Sequence, residues 1–244
     1  MNAMNMNHIN ATRRNALTSI AALSASLALP NVAAAKGTAG KAVAAPQEMK
    51  PYETLNPPVK GETTRVRLLF SYDCPFCRSY HNGLVQWGAT LPKPLSFIAS
   101  PLITSDNTKL MSAVLGRLIG EEVAPQALHS YDYMMYAKLQ GDPDQGTPPV
   151  EALSMTDVLR TLVQAGADGQ AIQAFLKGRG KGIEKRIPAQ AALIKTFNLT
   201  STPSVAITGR YVVTPDNAQG DPSQFLLLLN GIVSRVIQGD ARAS

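Results

Sequence analysis

The chain contains two cysteines, spaced as Cys74-Pro75-Phe76-Cys77. With two residues between them, one turn of helix brings the sulfurs together, so the pair is a dithiol able to close and reopen. A ring this short constrains the unfolded chain little and is opened by exchange with other thiols, which suits redox chemistry better than cross-linking. Cys74 is the expected attacking sulfur. At a helix start, backbone N–H groups and the positive end of the helix dipole stabilise a thiolate by roughly 0.3–1 kcal/mol per exposed charge. Pro75 marks that start, because its fixed φ suits the first helical position and its missing N–H would have no intrahelical partner there.

The elements that must position this pair are readable on either side of it. Val66, Leu68, Leu69 and Phe70 form an apolar run that predicts a buried strand from Arg65 to Tyr72. The helix carrying the dithiol is expected from Pro75 to about Thr90, and Leu95 to Ser100 predicts a second short strand. Strand, helix and strand of these lengths make a βαβ unit with a parallel pair. From Thr108 the period lengthens: Leu110, Val114 and Leu118, and beside them Met111, Leu115 and Ile119, recur at helical spacing. Helical signals continue through 124–139, 155–164 and 169–176, broken by a loop over 141–149. Ser154 and Asp157 form a capping pair, and Pro188 starts or kinks a helix. After Thr202-Pro203, strand signals return at 204–208 and 211–214 around a turn at Gly209-Arg210, and an amphipathic helix over 222–236 follows.

Residues 1–35 have a different character. Arg13 and Arg14 precede a mostly apolar run from Ala16 to Leu29, then Pro30 and Ala33-Ala34-Ala35, with no acidic residue. This predicts a cleavable signal peptide, since the apolar run falls short of the about 20 residues that a membrane span requires. The arginine pair resembles a twin-arginine signal but lacks the usual aromatic after it, which leaves that route and the general secretory route both open. Residues 36–50 read as a flexible lead-in. An exported chain with one cysteine pair works where disulfides form and persist.

With 45% hydrophobic and 16% charged residues among 244, the chain can bury a sizeable core. The net charge is +6, with a basic concentration at Lys177, Arg179, Lys181, Lys185 and Arg186. No stacking-aromatic pattern or nucleic-acid motif accompanies these charges, so they read as a solvated face and no nucleic acid is expected as a partner.

Taken together, Phe70-Ser71-Tyr72-Asp73-Cys74-Pro75-Phe76-Cys77, Ala165-Gly166, and Thr202-Pro203-Ser204 before Gly209-Arg210-Tyr211 resemble the DsbA family of periplasmic thiol:disulfide oxidoreductases. The likeness runs from Tyr52 to the C-terminal helix. It implies an α/β chain: a thioredoxin-like fold with a large inserted all-helical domain, its first part at 51–103, the insertion at 104–187 and its second part at 188–244. It implies that Cys74 and Cys77 are catalytic and that Thr202–Pro203 is a cis bond beside them, positioning the substrate backbone. No cofactor or metal is expected, because the electrons travel in the Cys74–Cys77 disulfide. The implied partners are exported proteins with thiols or disulfides, and a membrane or periplasmic redox partner that regenerates the pair.

Three departures from the family pattern bear on redox tuning. Phe76 stands where His is common, Leu68 stands where many members have a buried acid, and Asp73 places a negative charge next to Cys74. Pro75 completes the set of tuning residues. These changes predict a weaker oxidant. Two other readings stay open: a reductase or isomerase acting with the reduced dithiol, and a periplasmic folding factor that binds peptides.

His81 lies one turn beyond Cys77 and reads first as a helix-surface residue, with tuning of the dithiol as the alternative. Zinc would need four ligands and lacks a second cysteine pair or histidine cluster. His129 carries no signal, and Trp87 reads as core. Tyr131, Tyr133, Met134, Met135 and Tyr136 read as the core face of a helix, or as the lining of a peptide groove.

Overall fold

The computed structural model describes residues 50–243; the expected signal peptide, and the lead-in up to residue 49, lie outside that range. The strands are β1 (Glu53–Thr54), β2 (Arg65–Phe70), β3 (Ser96–Pro101), β4 (Ser204–Ile207) and β5 (Tyr211–Val213). They form a five-stranded sheet in the order β1-β5-β4-β2-β3. β2 and β3 are parallel, as the βαβ reading predicts, with Arg65 opposite Ser96 and Phe70 opposite Pro101. β4 runs antiparallel to β2, and β5 antiparallel to β4. β1 was not anticipated: two residues with no apolar alternation pair with Val212 and Tyr211 at the sheet edge.

Alternation along β2 assigns its side chains to opposite faces. Val66, Leu68 and Phe70 point into the larger core, which also takes in buried residues of α1 (Pro75–Gly88) and α7 (Pro222–Ala243). Leu69 joins Leu102, Phe197, Ala206 and Val212 on the other face. Arg67 lies on that second face too, its charge met by Glu62 at 2.7 Å and its Nη1 donating to Ser100 at 2.6 Å. The hairpin between β4 and β5 turns one residue earlier than expected. Thr208 and Gly209 both have positive φ, and the Arg210 N–H closes the turn on the Ile207 carbonyl at 3.0 Å. At Gly209 a Cβ would also meet the Val59 carbonyl oxygen at 2.8 Å, so glycine fits there on both counts.

Between β3 and β4 the chain is helical, with α2 (Thr108–Val123), α3 (Leu128–Gln140), α4 (Met155–Gln164), α5 (Gly169–Lys177) and α6 (Ile187–Thr196). Ser154 and Asp157 make the full capping box expected of them at the start of α4. Pro188 sits in the first turn of α6, so it starts that helix and does not kink it. The final helix is longer than its apolar pattern suggests and reaches Ala243. The basic residue Arg186 is engaged by Glu121 at 3.0 Å and Glu122 at 3.3 Å.

α2 approaches its neighbours closely at Gly116. A Cβ there would lie 2.0 Å from Val158 Cγ1 and 2.2 Å from the Tyr131 hydroxyl, so α3 and α4 can pack against α2 only while that position is bare. We expect Gly116→Ala to lower unfolding free energy by about 1–3 kcal/mol. Thermal melting should register this as a fall of about 2–4 °C per kcal/mol. An unchanged melting temperature would mean that the helices separate freely.

Candidate active site

Cys74 is the N-cap of α1 and Pro75 its first residue, which puts Cys77 at the third helical position. Helix geometry then aims the Cys77 N–H back at the cap, and it donates to Cys74 Sγ at 3.3 Å. A cysteine thus fills a role usually taken by Ser or Asp. The helix buries the stripe Cys77, His81, Leu84 and Gly88, which explains the unequal setting of the two sulfurs. Cys77 is 1% exposed, while Cys74 is half-buried at the surface. The Ser71 N–H, just beyond the end of β2, donates to Cys77 Sγ at 3.4 Å.

The Thr202–Pro203 peptide bond is cis. Cys74 Sγ donates to the Thr202 carbonyl at 3.2 Å across 128 residues of sequence. Cys74, Cys77, Thr202 and Pro203 are therefore gathered in one place, with Pro203 buried as the chain enters β4. Pro75 and Phe76 face solvent, Phe76 at 67% exposure. Asp73 is also exposed, and its carboxylate is taken up by the Ser71 and Thr104 hydroxyls. The end of α3 grips the same loop: Gln140 Nε2 donates to the Tyr72 carbonyl at 2.7 Å and the Cys74 carbonyl at 3.0 Å.

This setting separates the two thiols electrostatically. The hydrogen bond from the Cys77 thiol is the largest influence on Cys74; with contributions from Thr202 and the backbone N–H groups of Cys77 and Phe76, it outweighs burial and lowers Cys74 from 9.0 to about 6. Burial, reinforced by the bond to Cys74 and the charge there, pushes Cys77 far up. These influences favour the thiolate on Cys74 and the protonated thiol on Cys77.

No family model and no curated protein matches the sequence. Solved structures do match. DsbA from Xylella fastidiosa is 20% identical, with a TM-score of 0.58 over 79% of this chain and 96% of that one. Pseudomonas aeruginosa DsbA is 19% identical, with a TM-score of 0.60 over 79% and 95%. Proteus mirabilis DsbA, solved with a non-covalently bound peptide, is 15% identical, with a TM-score of 0.61 over 78% and 96%. The fold is that of the DsbA oxidoreductases. It is a thioredoxin-like fold with a helical insertion, and the dithiol stands at the start of its first helix.

His81 overturns its surface reading. It is 5% exposed, because the stripe that buries Cys77 and Leu84 passes through it. Its Nε2 meets Asp132 Oδ2 at 3.1 Å and its Nδ1 meets the Tyr136 hydroxyl at 3.2 Å. Asp132, itself 2% exposed, also accepts from the Tyr72 hydroxyl and from Arg117 Nε at 3.0 Å. Burial alone would raise the Asp132 carboxyl, but the Arg117 charge and the His81 hydrogen bond override it and hold it below its ordinary value. Sequence reasoning passed over Asp132 and Arg117. Their signal was present: each interrupts the apolar stripe of its helix, Asp132 between Leu128 and Met135, Arg117 between Val114 and Leu118. Tyr131, Met135 and Tyr136 are core, whereas Tyr133 and Met134 line a surface cleft with Asp142, Thr147 and Pro148. Trp87 is core as expected, with its Nε1 donating to Asn230 at 2.8 Å. Among the described residues no three His, Cys, Asp or Glu side chains converge as a metal site requires.

A thiol that ionises at about 6 should react with iodoacetamide at a rate rising roughly tenfold per pH unit below that value and level above it, with Cys74 modified before Cys77. Linkage gives the sign for stability. Between about 6 and 9.0 the unfolded chain holds a proton on Cys74 that the folded chain has released, so the reduced form gains stability as pH rises through that window. The contribution is lost as pH falls through about 6. Alkylation rates and melting temperatures of reduced protein across pH check both, and a midpoint near 9 would refute the stabilised thiolate.

Proposed function

We propose that this chain is a periplasmic thiol:disulfide oxidoreductase that passes disulfides to exported proteins through Cys74 and Cys77. The observation that carries the reading is the division of labour between the sulfurs: Cys74 accessible and lowered to about 6, Cys77 buried and pushed up. The thioredoxin-like part is assigned to 51–103 and 188–244, and the insertion to 104–187.

In the oxidising direction a substrate thiolate attacks Cys74 Sγ of the disulfide, the Cys74–Cys77 bond breaks, and Cys77 leaves and takes up a proton. A second substrate thiolate attacks the first substrate sulfur. The new substrate disulfide forms and Cys74 departs as its stable thiolate. Two electrons have moved from substrate to protein, and no other group need carry them. The Thr202 carbonyl, 3.2 Å from Cys74 Sγ, and the adjoining Pro203 give an extended substrate backbone a rim to lie against. A DsbA of the same fold, that of Proteus mirabilis, was solved with a non-covalently bound peptide, which supports a peptide segment as the substrate.

Direction follows from thiolate stability, since a stabilised reduced form makes a stronger oxidant. A Cys74 at about 6 falls between the roughly 7 of thioredoxin and the roughly 3.5 of the most oxidising dithiols, which favours a moderate oxidant. Phe76 and Leu68 supply no charge to the pair, and Asp73 spends its carboxylate on Ser71 and Thr104.

Cys74→Ser should abolish turnover of a disulfide or dithiol substrate, whereas Cys77→Ser should trap mixed disulfides on Cys74; peptide binding with no turnover by the unmodified chain would favour the peptide-binding reading. Phe76→His should stabilise the thiolate. A gain of about 1 kcal/mol would make the potential about 20 mV more oxidising in glutathione buffers. A thiol count on protein taken from the periplasm decides direction, with a disulfide expected for an oxidant and a dithiol for a reductase.

A further inference from the structure

Cys74 meets its substrate at a rim whose side chains are mostly uncharged. Pro75 and Phe76 follow it on the exposed start of α1, and Thr202, with Pro203 adjoining, reaches it from the far end of the chain. The charged side chain beside the sulfur belongs to Asp73, whose Cα lies about 3.8 Å from that of Cys74 across their shared peptide bond. Asp73 is exposed, so a segment docked on Cys74 encounters its carboxylate.

That carboxylate is fixed in place without being neutralised. Its Oδ1 accepts from the Ser71 hydroxyl at 2.5 Å, and the Thr104 hydroxyl donates to Oδ1 at 3.2 Å and to Oδ2 at 3.1 Å. Hydroxyls supply hydrogens but no positive charge. Ser71 is fully buried, and its N–H donates to Cys77 Sγ at 3.4 Å, so the residue that anchors the carboxylate also touches the second sulfur. Arg78, the nearest cation along the chain, is engaged elsewhere: its Nη1 donates to the Gly141 carbonyl at 2.6 Å and its Nη2 lies 3.9 Å from Asp142. Asp106, exposed in the loop that carries Thr104, adds charge of the same sign. Among the described residues no ion pair takes in Asp73.

We propose that Asp73 is a specificity residue that favours substrate segments with a lysine or arginine beside their cysteine and disfavours those with an aspartate or glutamate there. The inference rests on the dithiol reading above and names the class of peptide that the same site prefers. A side chain next to the substrate cysteine comes within about 10 Å of Asp73 as the sulfurs join, which is one Debye length at 0.1 M salt. In water a unit charge about 7 Å away changes a rate about threefold, so exchanging a cation for an anion changes it about tenfold. The chemistry itself is unaltered. The Cys74 thiolate attacks one sulfur of a peptide disulfide, that S–S bond breaks, and one peptide thiolate leaves with the electron pair. Cys77 then gives up its proton and attacks Cys74 Sγ, and the second peptide thiolate leaves, so the protein dithiol becomes a disulfide as the peptide disulfide becomes two thiols.

Symmetrical peptide disulfides that differ only in a single Lys, Ala or Glu next to the cysteine test this. Each is offered to reduced protein, and acid quenching with mass spectrometry follows the mixed disulfide on Cys74. At about 10 mM salt the ratio of Lys-peptide to Glu-peptide rates should be about tenfold larger for the unmodified chain than for Asp73→Asn, and Asp73→Glu should keep most of that preference. Taking ratios cancels the intrinsic difference between the peptides and any change in Cys74 itself. In 1 M salt, where the Debye length contracts to about 3 Å, the unmodified chain and Asp73→Asn should agree to within about twofold. Equal ratios for the two proteins at low salt, or a difference that persists undiminished in 1 M salt, overturns the proposal. The unmodified chain gives a readout that does not depend on the variants folding, because its own Lys-to-Glu ratio must fall as salt rises, and a flat ratio also overturns it. Failure of the dithiol reading would be distinguishable, since the Ala peptide would then form no mixed disulfide on the unmodified chain.

Discussion

Asp132 is buried so deeply that its carboxylate must find every partner inside the protein, and the partners it finds tie separate pieces of chain together: Tyr72 from the loop after β2, His81 from α1 and Arg117 from α2, all meeting α3. Desolvating a charge pair costs several kcal/mol per ion, which is repaid only when geometry and extra hydrogen bonds satisfy both partners. Here both are satisfied. Arg117 has Glu121 as well as Asp132, and its guanidinium lies 5.6 Å from the Phe70 ring centre. Removing one partner of such a pair costs about 3–5 kcal/mol because the other is left buried and alone. The docking of the helical segment against the sheet therefore depends on a polar contact set within an otherwise apolar core.

The dithiol and its frame were legible because their signals are local. A short apolar run, a proline and a cysteine pair sit within 13 residues, from Arg65 to Cys77, and the structure follows them to within two residues at the strand end. The capping box at Ser154 was legible for the same reason. What was hidden depends on chain far away. Glu53 and Thr54 become a strand only because Val212 and Tyr211 offer an edge, and nothing in their own side chains announces it. His81 looked like a surface residue because histidine usually is one, and its partner Asp132 lies 51 positions away. A clearer rule emerges for helices of this kind: opposite charges that each break an apolar stripe should be read as a candidate buried pair.

The candidate site works by contrast between two identical side chains. The Cys77 thiol, with the Thr202 side chain and the N–H donors of a cap position, makes Cys74 acidic; three residues on, the same helix turns Cys77 into the core. No dedicated charged residue is needed to create the difference. This is why the chain can place Phe76 between the cysteines and Leu68 on the preceding strand and still present a stabilised thiolate.

Gln140 closes the last turn of α3 onto the carbonyls of Tyr72 and Cys74, and Arg78 Nη1 reaches forward to the Gly141 carbonyl at 2.6 Å. The end of one helix and the beginning of another are thus clamped in both directions. A lever follows from this clamp: fraying of α3 at Gln140 frees the loop that presents Cys74, and a load applied to the helical segment is felt at the sulfur. The setting of the dithiol is in that sense wired to the integrity of the last turn of α3.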